Sequence, residues 1–298
     1  MDQNIVVQVK IKASAQDIYW ALTDESELAQ WFSEFVHISL DDGRYEFWGR
    51  LTPGNPSSEE AQQKIITANP GREIAFEWSF RGALTRVQFM LVEEGQITLV
   101  KLLHSGLPAR QEGEFSAADF WMISLENLRS WVERKEIGVR CDFSKPQVGE
   151  VLLGVDIKAS PAEVFETLIN PEKLKRYIGE NPLVEPEIGG KYSFGWDEGG
   201  PVKILSLTPN KELSYTWTYP PEPDTVVSWK LEGSGGKTRL TIVHSGFTRE
   251  RRMDDYQVGW LHFLNRIKFL SELSDAWEKA QMLEDDHALD RESSKEGS

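Results

Sequence analysis

Ile157-Lys158-Ala159-Ser160-Pro161-Ala162-Glu163 restates, 146 residues later, the stretch Ile11-Lys12-Ala13-Ser14-Ala15-Gln16-Asp17. The match decides the fold because others follow it in order. Gly43-Arg44-Tyr45-Glu46-Phe47 returns as Gly190-Lys191-Tyr192-Ser193-Phe194, and the run from Pro70 through Glu73 to Trp78 returns from Pro209 through Glu212 to Trp217. His104-Ser105-Gly106 returns as His244-Ser245-Gly246, and Trp121, Leu125 and Leu128 return as Trp260, Leu264 and Ile267. The offset drifts only from 146 to 139 across these matches. So steady an offset is beyond chance, and its period is that of a whole domain rather than a solenoid unit. The 298 residues suit two domains.

The pattern breaks near residues 137–147, where Gly138 and Pro146 fall among mixed polar residues. We therefore expect domains at 1–137 and 148–282, followed by a disordered acidic tail at 283–298.

Each copy opens on an alternating strand, Ile5 to Ile11 and Val151 to Ile157. Ser14 and Ser160 then serve as helix N-caps, with Asp17 and Glu163 three residues on, where a capping box places its acid. Pro161 suits a first helical position, where a missing N–H costs nothing. A second short helix carries Leu28 and Trp31, or Leu174 and Tyr177. About six strands follow, with turn signals at Asp42-Gly43, Gly189-Gly190 and Gly235-Gly236. A long amphipathic helix closes each copy. Trp121, Leu125, Leu128 and Trp131 share one face in the first, and Trp260, Phe263, Leu264, Ile267, Leu270 and Trp277 share one in the second. The fold class is α+β, a curved antiparallel sheet wrapped around the closing helix, twice.

Comparing the copies assigns the strand faces, because a buried face stays apolar in both. Ile74, Phe76, Trp78 and Phe80 alternate as Leu213, Tyr215, Trp217 and Tyr219 do, and Val87, Phe89 and Leu91 match Val227, Trp229 and Leu231. In the last strand Val100 and Leu102 match Leu240 and Ile242, which turns His104 and His244 inward.

The formal charge of −15 argues against nucleic acid, which needs clustered Lys and Arg. A single cysteine, Cys141, excludes a disulfide framework and reads as a small apolar side chain near the seam. The start Met1-Asp2-Gln3-Asn4 lacks a signal-peptide pattern, and no apolar run reaches the ~18 residues of a membrane span. The expectation is a cytoplasmic protein without membrane insertion.

A Lys-Ala-Ser start, Gly-x-Tyr-x-Phe, Pro-x-x-Glu-(Ile/Leu)-x-x-x-Trp, a His-x-Gly strand end and a Gly-Trp closing helix occur in that order. This set resembles the activator-of-heat-shock-90-ATPase-like branch of the START/Bet v 1 (helix-grip, SRPBCC) superfamily, over nearly the whole chain. The second copy has Gly259-Trp260, whereas the first departs with Phe120-Trp121. The resemblance implies tandem helix-grip domains. Each is a seven-stranded sheet gripping a C-terminal helix over a cavity, with two short helices after the first strand.

The candidate cavity lining is Tyr45, Phe47, Phe76, Trp78, Phe89, His104 and Trp121 in the first copy. In the second it is Tyr192, Phe194, Tyr215, Trp217, Trp229, His244 and Trp260. So many large amphipathic rings exceed what a small closed core uses, and ligand pockets are mostly apolar with a few orienting polar groups. The histidines admit three roles: structural, ligand contact, or acid–base catalysis. Catalysis needs a partner in reach, and no inward carboxylate is evident. His37, His104, His244, His262 and His287 lack metal-ligand spacing, and phosphate-loop, nucleophile-elbow and dinucleotide motifs are missing, so no cofactor or metal is expected. His262 lies off the apolar helix face and reads as solvated, as do Glu25, Glu27 and Glu34. The leading expectation is a binding protein for a hydrophobic small molecule or lipid. The alternatives are a co-chaperone meeting a protein partner in a stress response, and a cyclase- or hydrolase-type enzyme using His104 or His244.

Overall fold

A computed structural model describes residues 3–179, 181–195, 202–219, 222–248 and 251–283. The first repeat runs β1 (Gln3–Ile11), α1 (Ala15–Thr23), α2 (Glu25–Trp31), then β2 (Phe35–Ser39), β3 (Arg44–Trp48), β4 (Lys64–Asn69), β5 (Glu73–Phe80), β6 (Ala83–Glu94) and β7 (Ile97–Leu107), and closes on α3 (Ala117–Arg134). The second runs β8 (Val151–Ile157), α4 (Pro161–Ile169), α5 (Pro171–Tyr177), β9 (Leu183–Val184), β10 (Lys191–Ser193), β11 (Val202–Thr208), β12 (Glu212–Trp217), β13 (Thr225–Ser234) and β14 (Lys237–Ser245), and closes on α6 (Asp254–Leu273). A 3-10 turn (Ser274–Ala276) and a last strand, β15 (Gln281–Leu283), follow.

The sheets are antiparallel and share one order. The first is β15-β1-β7-β6-β5-β4-β3-β2, and the second β8-β14-β13-β12-β11-β10-β9. The α+β duplication read from the repeat and the tandem helix-grip architecture implied by the resemblance are those observed, with β15 as an eighth strand on the first sheet.

The duplication extends to single hydrogen bonds. Ser14 Oγ accepts from Asp17 N at 3.1 Å and Ser160 Oγ from Glu163 N at 3.3 Å, the second being a complete capping box. Either cap satisfies an N–H that the helix cannot. Lys12 N donates to Glu133 Oε1 at 2.7 Å, and Lys158 N to Glu272 Oε1 at 2.8 Å, tying each first strand to its closing helix. Thr98 Oγ1 donates to the Ala13 carbonyl at 2.7 Å, and Thr238 Oγ1 to that of Ala159 at 2.8 Å.

By compactness the described chain forms two units. One holds residues 3–110, 124–137 and 280–283, the other 111–123 and 138–279. In the first unit β15 pairs with β1 (Val6 with Leu283, Gln8 with Gln281), and Glu126 Oε1 accepts from Ala280 N at 3.1 Å. In the second, Asn265, at the position of Glu126, accepts from Val139 N at 2.9 Å through Oδ1.

Several expectations are corrected. Leu283 lies in β15 rather than in a disordered tail; the rest of that stretch, with His287, lies outside the described residues. Trp277 is not on the face of α6, because Ser274 at φ +48° ends the helix first. Tyr219 is 54% exposed, because β12 stops at Trp217 while its counterpart β5 continues to Phe80. The closing helices are buried nearly all round, not along one stripe. His262 is accordingly 5% exposed, with Nδ1 2.9 Å from Asp119 Oδ1. Glu27 is also engaged, by the Trp131 indole N–H and Lys135 Nζ at 2.8 Å each. Glu25 stays exposed, as expected, while taking His37 Nδ1 and Ile38 N, and Glu34 takes Arg50.

Candidate functional site

Alternation along β3, β5 and β7 turns Tyr45, Phe47, Phe76, Trp78, Phe80 and His104 to one side of the first sheet, where all are buried. Their rings form a continuous series. Tyr45 lies 4.6 Å from Phe76, Phe47 lies 5.7 Å from Phe76 and 5.3 Å from Trp78, and Trp78 stacks on His104 at 5.7 Å and 10°. The two Phe47 contacts are edge-on, a geometry that ring quadrupoles favour. Phe89 on β6 is buried between its cross-strand partners Ile74 and Leu102. Trp121 is fully buried against Phe120 at 5.2 Å, and falls in the second compact unit.

In the second repeat all seven candidates join one network. Tyr192 stacks on Tyr215 at 4.5 Å, Phe194 lies 5.6 Å from Trp217, and Trp260 lies 5.1 Å from Trp217 and 5.8 Å from Trp229. The Trp229 indole N–H donates to Tyr215 Oη at 3.0 Å. Phe247 and Tyr256, which were not singled out from sequence, complete it at 4.5 and 4.8 Å from His244. Tyr256 was legible, standing one helical turn before Trp260 on the same face.

Polar atoms on these faces are few and specifically engaged. Tyr45 and Tyr192 donate from their hydroxyls to the Leu22 and Leu168 carbonyls at 2.6 and 2.7 Å, tying β3 and β10 to the ends of α1 and α4. The Trp78 indole N–H donates to Asn55 Oδ1 at 2.7 Å, and Asn55 Nδ2 donates to the Glu60 carbonyl at 2.6 Å. Asn55 belongs to the connection between β3 and β4, which also buries Leu51, Thr52, Ala61 and Gln63. No periodicity in that stretch announces a buried amide.

The two histidines are built alike. Each is fully buried, and each Nε2 lies 2.8 Å from a threonine hydroxyl, Thr85 for His104 and Thr225 for His244. The threonines in turn donate to the Trp78 and Trp217 carbonyls at 2.8 and 3.3 Å, so their oxygens accept from Nε2–H. In the second repeat the Trp260 indole N–H donates to His244 Nδ1 at 3.0 Å, which assigns the same tautomer independently. Burial pushes both imidazoles down to about 3, helped at His104 by the Arg81 guanidinium nearby. His244 therefore stays uncharged with both nitrogens engaged, and is not arranged as a base.

At one border of the second network Arg251 makes two bonds of 3.1 Å to the Asp255 carboxylate and lies 3.5 Å from Glu222. Tyr256 Oη donates to Glu222 Oε2 at 3.4 Å, and burial, then Glu222 and Asp255, raise its phenol above the usual value. The first repeat has Ala117 and Ser116 at the positions of Tyr256 and Asp255. Cys141 is buried and its thiol is pushed up, first by burial and then by Asp254 and Asp142. Among the described residues no group of three or more His, Cys, Asp or Glu is placed to hold a metal ion, and no helix is long and apolar enough to cross a membrane.

Comparison with known proteins accords with the repeat. The model of the family described as activator of Hsp90 ATPase homolog 1-like protein matches residues 12–133 and again residues 158–272. No curated protein matches the chain. Among solved structures, DynU16, a putative protein in the dynemicin biosynthetic locus, is similar at 16% identity and TM-score 0.34, over 90% of this chain and 99% of its own. The Aha1 dimer from Colwellia psychrerythraea is similar at 23% identity and TM-score 0.38, over 42% of this chain and 98% of its own. PFC0360w, an HSP90 activator from Plasmodium falciparum, is similar at 16% identity and TM-score 0.35, over 41% of this chain and 92% of its own.

Proposed function

Because the chain belongs to the activator of Hsp90 ATPase homolog 1-like family, we propose that each repeat is a binding domain for an uncharged, largely apolar small molecule or lipid. The observation that carries this reading is the inward face of each sheet, where large rings surround a buried histidine held neutral by its surroundings. Such a face is apolar with a few fixed donors and acceptors, the composition of a ligand pocket. The lining comprises the residues named from sequence, Trp121 of the other compact unit excepted, with Phe247 and Tyr256 added in the second repeat. His104 and His244 orient neighbouring groups rather than transfer protons, and the domains follow the repeat, 1–137 and 148–282. The test is organic extraction of the purified protein with mass spectrometry, beside thermal-shift titration with the compounds recovered. A protein that carries no apolar compound and is shifted by none refutes the reading.

A second reading, a protein-interaction role, draws on the family description and on Phe35. This ring is 50% exposed and stacks on Trp48 at 5.8 Å. Replacing Phe35 by Ser would then abolish co-purification with a heat-shock-90 chaperone and any change in its ATPase rate. An unaltered interaction counts against it.

A further inference from the structure

Tyr19 differs from Tyr45, the other phenol of the first repeat. It lies in α1, is 4% exposed, and its hydroxyl has no hydrogen-bond partner among the described residues. It lies close enough to Tyr45 for the two phenols to interact electrostatically, and the Tyr45 hydroxyl is already given to the Leu22 carbonyl. Burying an unpaired hydroxyl opposes folding, so native interiors pair such groups or replace them. The second repeat has made the replacement. Phe165 stands at the same offset of 146 that relates Ser14 to Ser160 and Leu22 to Leu168, and it too is buried. The fold thus accepts the ring without its oxygen, and the first repeat keeps an oxygen that nothing among the described residues uses.

Resting on the binding reading above, we propose that the Tyr19 hydroxyl is the ligand-anchoring donor of the first repeat, taking a carbonyl or hydroxyl oxygen of an otherwise apolar molecule. The second repeat, with Phe165, takes molecules without that requirement. An uncharged oxygen fits better than a carboxylate, because the surrounding inward set is rings and neutral donors, and a buried anion needs a paired cation.

The test compares 2-acetylnaphthalene with 2-ethylnaphthalene, which match in shape and differ in one carbonyl oxygen. Calorimetric titration of the wild-type chain, Tyr19→Phe and Phe165→Tyr is expected to show an acetyl preference of about tenfold at one site of the wild type, about 1.4 kcal/mol. Tyr19→Phe is expected to lose the preference while still binding 2-ethylnaphthalene, and to melt at a higher temperature without ligand. Phe165→Tyr is expected to add a second site with the preference. An unchanged preference in Tyr19→Phe, or none in the wild type, overturns the anchor and leaves the binding domains standing. Binding of neither probe by the wild type overturns both.

Discussion

Lowering the pH from about 7.5 to about 5 should weaken the folded state by about 2 kcal/mol for each of His104 and His244. Burial holds both imidazoles down to about 3 in the folded chain, below the ~6.5 of an unfolded one. A depressed histidine binds its proton only after unfolding. The associated stability is therefore complete above about pH 6.5 and declines as the pH falls, until the folded imidazole also protonates near 3. At about pH 5 the free energy gained by protonating the unfolded imidazole is RT ln(1 + 10^1.5), about 2 kcal/mol, whatever the folded value so long as it lies well below 5. Urea unfolding at the two pH values should show both contributions in the wild type and only one in His104→Gln or in His244→Gln. Glutamine can still meet the threonine hydroxyl and, in the second repeat, accept from Trp260. Each variant should lose some stability at about pH 7.5, yet its further decline to about pH 5 should be smaller than the wild type's by about 2 kcal/mol. The exposed His37 pair with Glu25 and the His262 contact with Asp119 are common to all three proteins and cancel. An identical decline in variant and wild type would refute the claim that these imidazoles are buried and neutral.

Thr225→Val removes the oxygen that receives His244 Nε2–H, leaving a buried donor unpaired; chemical denaturation should show a loss of about 1–3 kcal/mol. Asn55→Ala strips the Trp78 indole N–H of its acceptor, and a loss of similar size, about 1–3 kcal/mol, is expected by the same measurement. Ser160→Ala removes the reciprocal cap of α4 and should cost about 1 kcal/mol in urea unfolding, with the closing helices unaffected in circular dichroism.

The succession of elements along the chain, both closing helices and the inward turn of His104 and His244 were legible because period-two and period-3.6 patterns occur twice, each copy checking the other. The pattern overreached where elements stop. Tyr219 continues the alternation of β12 past the strand's end, and Trp277 continues the helical stripe past Ser274, whose left-handed backbone no periodicity encodes. His262 was misjudged for a different reason. Its polar face is covered by residues far away in sequence, among them Asp119, and burial by a distant segment leaves no local trace. Asn55 escaped notice because a loop residue of turn-forming type gives no hint that its amide will meet Trp78. Tyr19 is the opposite case, since comparison with Phe165 was available in the sequence and acquired meaning only once the hydroxyl was located.

The pairing of β15 with β1 joins segments that a ribosome produces far apart in time. Gln8 and Gln281, bonded side chain to side chain at 3.0 Å, are separated by 273 residues. At about 5–20 residues per second, the backbone groups of β1 that face β15 wait some 15–55 s for their partner. Throughout that interval they present a strand edge of the kind that recruits other chains. The matching edge of the second repeat has no such delay at Leu152, whose N–H is taken by Gln147 Oε1 at 3.1 Å, five residues before it. Truncated translation therefore leaves the outer edge of β1 without the partner strand that the full chain supplies.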